Sequence, residues 1–142
     1  MESEPESKMT PLNDKTILSQ DILIVVDEIS NLKLLTEFLG QEGYHIRSTE
    51  KPQLAIDSAL AKPPALILLD VSIPEMGSFE VCKRLKQDKR THDIPIIFLS
   101  ALQDVKDEVL GFEAERVDFI TKPFRKEDVL ARVRAHMDLR NI

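Results

Sequence analysis

The sequence holds a single cysteine, Cys82, among its 142 residues, so no internal disulfide can form and a reducing, cytoplasmic setting is the expectation. No apolar run approaches the ~20 residues needed to cross a bilayer. The first twenty residues are acidic and polar and lack the apolar centre of a secretory leader. Positive charge is short too. The net charge of −6 argues against direct binding to nucleic acid or to an anionic membrane. No GxxxxGK[ST] phosphate loop occurs, which speaks against a nucleotide as donor. His45, His92 and His136 lack metal-ligand spacing and read as surface residues, and there is no internal repeat. What remains is 42% hydrophobic and 31% charged, enough for one domain with a real core.

The central stretch is Ala65-Leu66-Ile67-Leu68-Leu69-Asp70, following Pro63-Pro64. Five consecutive apolar residues read as a strand buried on both faces, as in the middle of a parallel sheet. An acid at the end of such a strand demands a metal, a cation or a solvated cleft, because an unpaired buried charge is costly. Ile22 to Val26 is a second strand of the same type, ending in Asp27-Glu28. Ser30 is a candidate N-cap for a helix with Leu32, Leu35 and Leu39 inward, and Gly43 suits its exit. Residues 44–49 alternate in polarity like an edge strand, and Pro52 opens a helix carrying Ala55, Ile56, Ala59 and Leu60. After a loop over 71–77 comes a helix with Phe79, Cys82 and Leu85 on one face, where Cys82 reads as a small core residue.

Pro95 to Ser100 is a further hydrophobic strand, Asp104 and Asp107 cap a fourth helix, and Asp118 to Thr121 is a short last strand before Lys122-Pro123-Phe124. The final helix places Leu130, Val133 and Met137 inward, while the charges from Arg132 to Arg140 read as a solvated face. The domain is thus expected over residues 20–140, with residues 1–19 a disordered tail. Five βα units require a doubly wound α/β fold with a mostly parallel sheet, order 2-1-3-4-5, flavodoxin-like. Ligands in such sheets sit beyond the carboxyl ends of strands 1 and 3. Asp27 and Asp70 end those strands, and Ser100 and Lys122 end strands 4 and 5, so two carboxylates, a hydroxyl and an ammonium are predicted to share one rim. Two adjacent carboxylates repel unless a cation joins them, and oxygen ligands with room for water suit Mg²⁺. A carboxylate so placed can attack phosphorus, with the metal and Lys122 supplying positive charge to the transferred group.

In this order and spacing, Ile22 to Glu28, Leu68-Leu69-Asp70, Ile73-Pro74-Glu75-Met76, Phe98-Leu99-Ser100-Ala101 and Asp118 to Phe124 resemble the receiver domain of two-component response regulators, over about residues 21–140. The resemblance implies a phosphoprotein in which Asp70 accepts a phosphoryl group from the phosphohistidine of a sensor histidine kinase or phosphotransfer protein. It implies Mg²⁺ held by Asp27, Asp70 and the Ser72 backbone carbonyl. It makes Lys122 a phosphate contact, Ser100 and Phe119 a switch pair, and Lys122-Pro123 a cis bond. Downstream it implies an output domain or protein, and a homodimer through the face of the fourth helix, fifth strand and fifth helix. Three departures stand out: Val26 where the family has a first acid, Met76-Gly77-Ser78 where it has Met-Asp-Gly, and Glu115-Arg116 where Gly-Ala is common.

Each of these residues also has a plainer reading. Loop amides could satisfy Asp70, Lys122 could be a structural ion partner, Ser100 could cap a turn, and Phe119 could be partly buried core. At the level of function, a phosphorylation-controlled module competes with a phosphorylation-independent pseudo-receiver used for protein binding or dimerisation, as Val26 and Gly77-Ser78 suggest. A third reading, an aspartyl phosphatase resembling the haloacid-dehalogenase-like family, ranks last. That family carries a second Asp two residues after the nucleophile, where this chain has Ser72. No turnover is therefore expected beyond self-phosphorylation and autodephosphorylation. A fragment of a longer regulator or hybrid kinase and a stand-alone regulator both fit the sequence.

Overall fold

The computed structural model describes residues 20–71, 77–100 and 118–140. The tail over residues 1–19, Ser72, the fourth helix with Asp104 and Asp107, and Glu115-Arg116 lie outside the described residues. In chain order the elements are β1 (Asp21–Val25), α1 (Ile29–Gly40), β2 (His45–Thr49), α2 (Pro52–Ala61), β3 (Leu66–Asp70), α3 (Ser78–Lys86), β4 (Ile96–Ser100), β5 (Asp118–Thr121) and α4 (Lys126–Arg140). All strand pairs are parallel, and the order is β2-β1-β3-β4-β5. This is the predicted doubly wound sheet. The residues of β1, β3 and β4 are buried throughout, because helices cover both faces, whereas β2 at the edge alternates.

Period-two alternation divides the core. Ile22, Ile24, Leu66, Leu68, Ile97 and Leu99 pack with Leu35, Leu39, Val129 and Val133 of α1 and α4. Their neighbours in sequence, Leu23, Val25, Ile67, Leu69, Ile96 and Phe98, point the other way onto Ala55, Ile56, Val81, Cys82 and Leu85 of α2 and α3. A one-residue slip of any central strand would exchange the two layers, so the register is strongly fixed. That register fixes what stands beside what at the carboxyl rim: Val25 pairs with Leu69, Asp70 with Leu99, and Ser100 with Thr121.

Two local readings need correction. β1 opens at Asp21 rather than Ile22, because Asp21 is tied on both sides: its carbonyl accepts the Ala65 amide at 2.7 Å, and its carboxylate lies 3.1 Å from His45 Nδ1 and 3.0 Å from Arg47 Nε. The Arg47 Nε–H points away from that oxygen, so this is a charge pair, while its Nη1 donates to Ser58 Oγ at 2.8 Å. Ser30 is not the cap of α1. The helix starts at Ile29 with Glu28 at the N-cap, and Asn31 Nδ2 donates to the Glu28 carboxylate at 2.8 Å. Gly43 does turn the chain out of α1, at φ +90°, and Pro52 does open α2.

Cys82 is buried among apolar side chains, and burial pushes its thiol pKa up. Thiolate is the reactive form, so a disulfide reagent should modify native protein orders of magnitude more slowly than protein in denaturant, which stopped-flow absorbance would show. In the turn after α3, Asp88 accepts from the Arg90 backbone amide at 2.8 Å and from its guanidinium through both oxygens at 3.0 Å, holding its pKa down at about 2. A depressed carboxyl pKa stabilises the fold above the unfolded value of 3.8, and that contribution is lost as pH falls from there through about 2. Carbon-detected NMR titration of the Asp88 carboxyl should give a midpoint near 2, moving toward the ordinary value in Arg90→Ala.

Candidate functional site

Asp70 is the last residue of β3 and is 1% exposed. Alternation sends it toward the face of Leu66 and Leu68. A carboxylate in this position needs a positive partner, and Lys122 supplies one from the end of β5, 52 residues away: its Nζ donates to Oδ2 at 3.1 Å and to Oδ1 at 3.3 Å. The lysine is also held at its backbone. Its amide donates to the Ser100 carbonyl at 2.9 Å, fastening it to β4, and the Lys122-Pro123 peptide is cis, as expected. The Lys122 side chain remains 24% exposed, so it can follow a charge placed on Asp70.

Ser100 ends β4 and is fully buried, on the side of the sheet that Phe98 faces. Phe119, half-buried on β5, packs on that same side: its ring centroid lies 5.5 Å from that of Phe98, and Phe98 in turn lies 4.7 Å from Phe79 of α3. The sheet thus places Ser100 and Phe119 on one face, with Asp70 at the rim toward the other. Phe119 is held at its backbone. The Asp118 carboxylate accepts the Phe119 amide at 2.8 Å, is paired with the Arg132 guanidinium, and lies 3.0 Å from His136 Nε2. Arg132 and His136 are therefore more than a solvated face. They stand one helical turn apart on α4, so both reach the same carboxylate.

Asp27 does not terminate the ladder. β1 ends at Val25, and Asp27 stands exposed two residues on, at the wall of a cleft of about 260 Å³ shared with Val26, Glu28, Leu32, Thr49 and Glu50. Continuing the β1–β3 register sets Val26 beside Asp70 and Asp27 one row further out. The backbone register thus sets Asp27 and Asp70 at the same end of the sheet. Val26 is 3% exposed and belongs to the core layer below that rim. Among the described residues no three His, Cys, Asp or Glu side chains converge on a metal position. A cation here takes two carboxylates at most and fills its other positions with water and main-chain oxygen. That donor set fits Mg²⁺, which keeps several waters, and excludes a site that needs nitrogen or sulfur ligands.

α3 begins at Ser78, eight residues after Asp70. Gly77 is its N-cap at φ +88° and ψ 144°, a conformation that is essentially glycine's own. The glycine therefore stands where the backbone requires it, one position before the place at which the family pattern has it. Ser78 next to it is 1% exposed, and its Oγ has no hydrogen-bond partner among the described residues. A buried hydroxyl without a partner carries its full desolvation cost. Ser78→Ala should accordingly raise stability by about 1–2 kcal/mol, measured as a higher urea midpoint at unchanged m-value, whereas a hidden hydrogen bond would lower it.

Comparison with known proteins agrees with this architecture. Residues 22–134 match the response regulator receiver domain, and the chain belongs to that family, the receiver module of two-component signalling. It is 39% identical over 114 residues to the DNA-binding dual master transcriptional regulator RpaA of Synechocystis sp., an alignment covering 80% of this chain and 47% of that protein. The chain spans about half the length of these curated relatives, the second being the alkaline phosphatase synthesis transcriptional regulatory protein PhoP of Bacillus subtilis. Among solved structures, a putative response regulator from Chloroflexus aurantiacus superposes with a TM-score of 0.77 at 28% identity, covering 84% of this chain and 98% of that one. The receiver domain of a sensor histidine kinase from Pseudomonas aeruginosa, solved with magnesium coordinated in its active-site cleft, shares the fold with a TM-score of 0.76 at 23% identity, over 84% and 98% of the two chains. Receiver domains are in general signalling modules rather than enzymes. Among the described residues no helix is long and apolar enough to cross a membrane.

Proposed function

We propose that this domain is a phosphorylation-controlled switch in which Asp70 accepts a phosphoryl group from the phosphohistidine of a sensor histidine kinase or phosphotransfer protein. The observation that carries this reading is the reach of Lys122 to both oxygens of a buried Asp70. An Asp70 oxygen attacks phosphorus while the phosphorus–nitrogen bond of the donor breaks, and the imidazole leaves with the bonding pair and takes up a proton. The product is an acyl phosphate on Asp70. Lys122 turns from the carboxylate to the new phosphoryl oxygens, where its charge offsets what the transfer brings. Asp27, Asp70 and the Ser72 carbonyl would hold Mg²⁺, which supplies further positive charge to the equatorial oxygens when bound.

Ser100, at the same rim, donates its hydroxyl to the phosphoryl group. Phe119 then follows into the space on its side of the sheet, repacking against Phe98, and the face around β5 and α4 changes for an output domain or protein. A cytoplasmic setting, with no direct contact to nucleic acid or membrane by this module, belongs to the same reading. The departure at Val26 favours one alternative, a pseudo-receiver whose binding surface works without phosphate. Intact-mass spectrometry after incubation with acetyl phosphate and Mg²⁺ separates the two. The switch requires one added phosphoryl group in the native protein and none in Asp70→Asn, while an unmodified native protein establishes the alternative.

A further inference from the structure

Among the described residues two large apolar side chains stand exposed, Ile29 at 71% and Leu54 at 52%. Both lie in the first turn of a helix, α1 and α2, that starts at the carboxyl end of the β1–β2 half of the sheet. Ile29 also walls the cleft of about 260 Å³ beside Asp27, together with Val26 and Leu32. The charged side chains that line this cleft are all acids: Asp27, Glu28 and Glu50. Among the described residues no ion pair uses any of them. Pockets for small molecules typically start near ~300 Å³, so a cleft of this size suits one long side chain instead. Apolar walls under an acidic mouth fit a side chain with an aliphatic stem and a cationic tip, which is arginine or lysine.

The place of the cleft says what brings that side chain. Asp70 is 1% exposed at the end of β3, so a protein that delivers a phosphoryl group to it must press against the carboxyl rim. A standard interface covers about 800 Å² of each partner, a disc of about 16 Å radius. β1 and β2 are the next two strands from β3, on the side away from Lys122, and two strand spacings are about 10 Å. The cleft therefore falls inside the footprint of such a donor.

We propose that this cleft selects the phosphoryl donor by charge: it takes a basic side chain of the sensor kinase or phosphotransfer protein, Ile29 and Leu54 meet apolar side chains beside it, and Glu50 is a specificity-determining residue. This rests on the phosphoryl-acceptor reading of Asp70. A donor with an acid at the matching place is turned away by unpaired like charges rather than by shape. Acetyl phosphate is too small to touch the cleft, so its reaction does not depend on it.

Two synthetic phosphohistidine peptides test this, alike in their leucines but with arginines in one where the other has glutamates. Each is incubated with the full chain and Mg²⁺ at low salt, and transfer is followed by intact-mass spectrometry. Native protein should gain its phosphoryl group from the arginine peptide at least about tenfold faster than from the glutamate peptide. Glu50→Lys should abolish that preference, and Ile29→Ser should slow transfer from both peptides severalfold, with the acetyl phosphate rate unchanged in each variant. Asp93→Lys makes the same change of net charge at an exposed site ahead of β4, at the opposite end of the sheet, and should keep the preference. The proposal is overturned if native protein takes phosphate from both peptides at equal rates. It is equally overturned if Asp93→Lys loses the preference as Glu50→Lys does, since net charge alone would then account for it. Failure of acetyl phosphate to modify native Asp70 is a different result, which removes the acceptor reading and this selection with it.

Discussion

The pair between Asp70 and Lys122 is the constraint around which the rest is arranged. A carboxylate 1% exposed at the end of a central strand is tolerated only with a partner, and removing one member of a buried pair typically costs about 3–5 kcal/mol. The partner comes from another strand, so the pair is correct only if β3, β4 and β5 stand in one register. Lys122 is fixed to that register through its amide on Ser100. The site therefore reports on the whole sheet: a slip that would only exchange apolar neighbours in the core would at the rim leave an ammonium and a carboxylate apart.

The same pair explains how a stable arrangement can also respond. Lys122 is a flexible side chain, partly exposed, bound to a group that is fully enclosed. Its backbone belongs to the β4–β5 side of the sheet, where Ser100 and Phe119 share a face and the Phe79, Phe98 and Phe119 rings stack in sequence across α3, β4 and β5. Rigid strands set the positions, and side chains at their ends are what can move. Asp118 ties the Phe119 backbone to Arg132 and His136 of α4.

Much of this was legible in the sequence because buried parallel strands write plainly. Ile22 to Val26, Leu66 to Leu69 and Ile96 to Leu99 are unbroken apolar runs, and their order alone places Asp70, Ser100 and Lys122 at one rim. Polar pairs across the chain are harder to read. The Asp21–Arg47 contact moves the start of β1, Glu28 takes the N-cap that Ser30 offered, and Arg132 and His136 pair with Asp118. None of these follows from periodicity, since a charged residue on an amphipathic pattern reads as solvated until a partner from elsewhere is known. Ser78 is the opposite case: its helix position was clear, and its enclosed hydroxyl depends on packing that no local pattern encodes.

Val26 shows how one apolar replacement can alter a polar site without disturbing the fold. On the lower side it is an ordinary core residue, packed beneath α1 with Ile24 and Leu35. On the upper side it fills the position at which a second acid would repel both Asp27 and Asp70. The receiver sheet is therefore kept, and the change at Val26 is absorbed by the apolar layer beneath the rim.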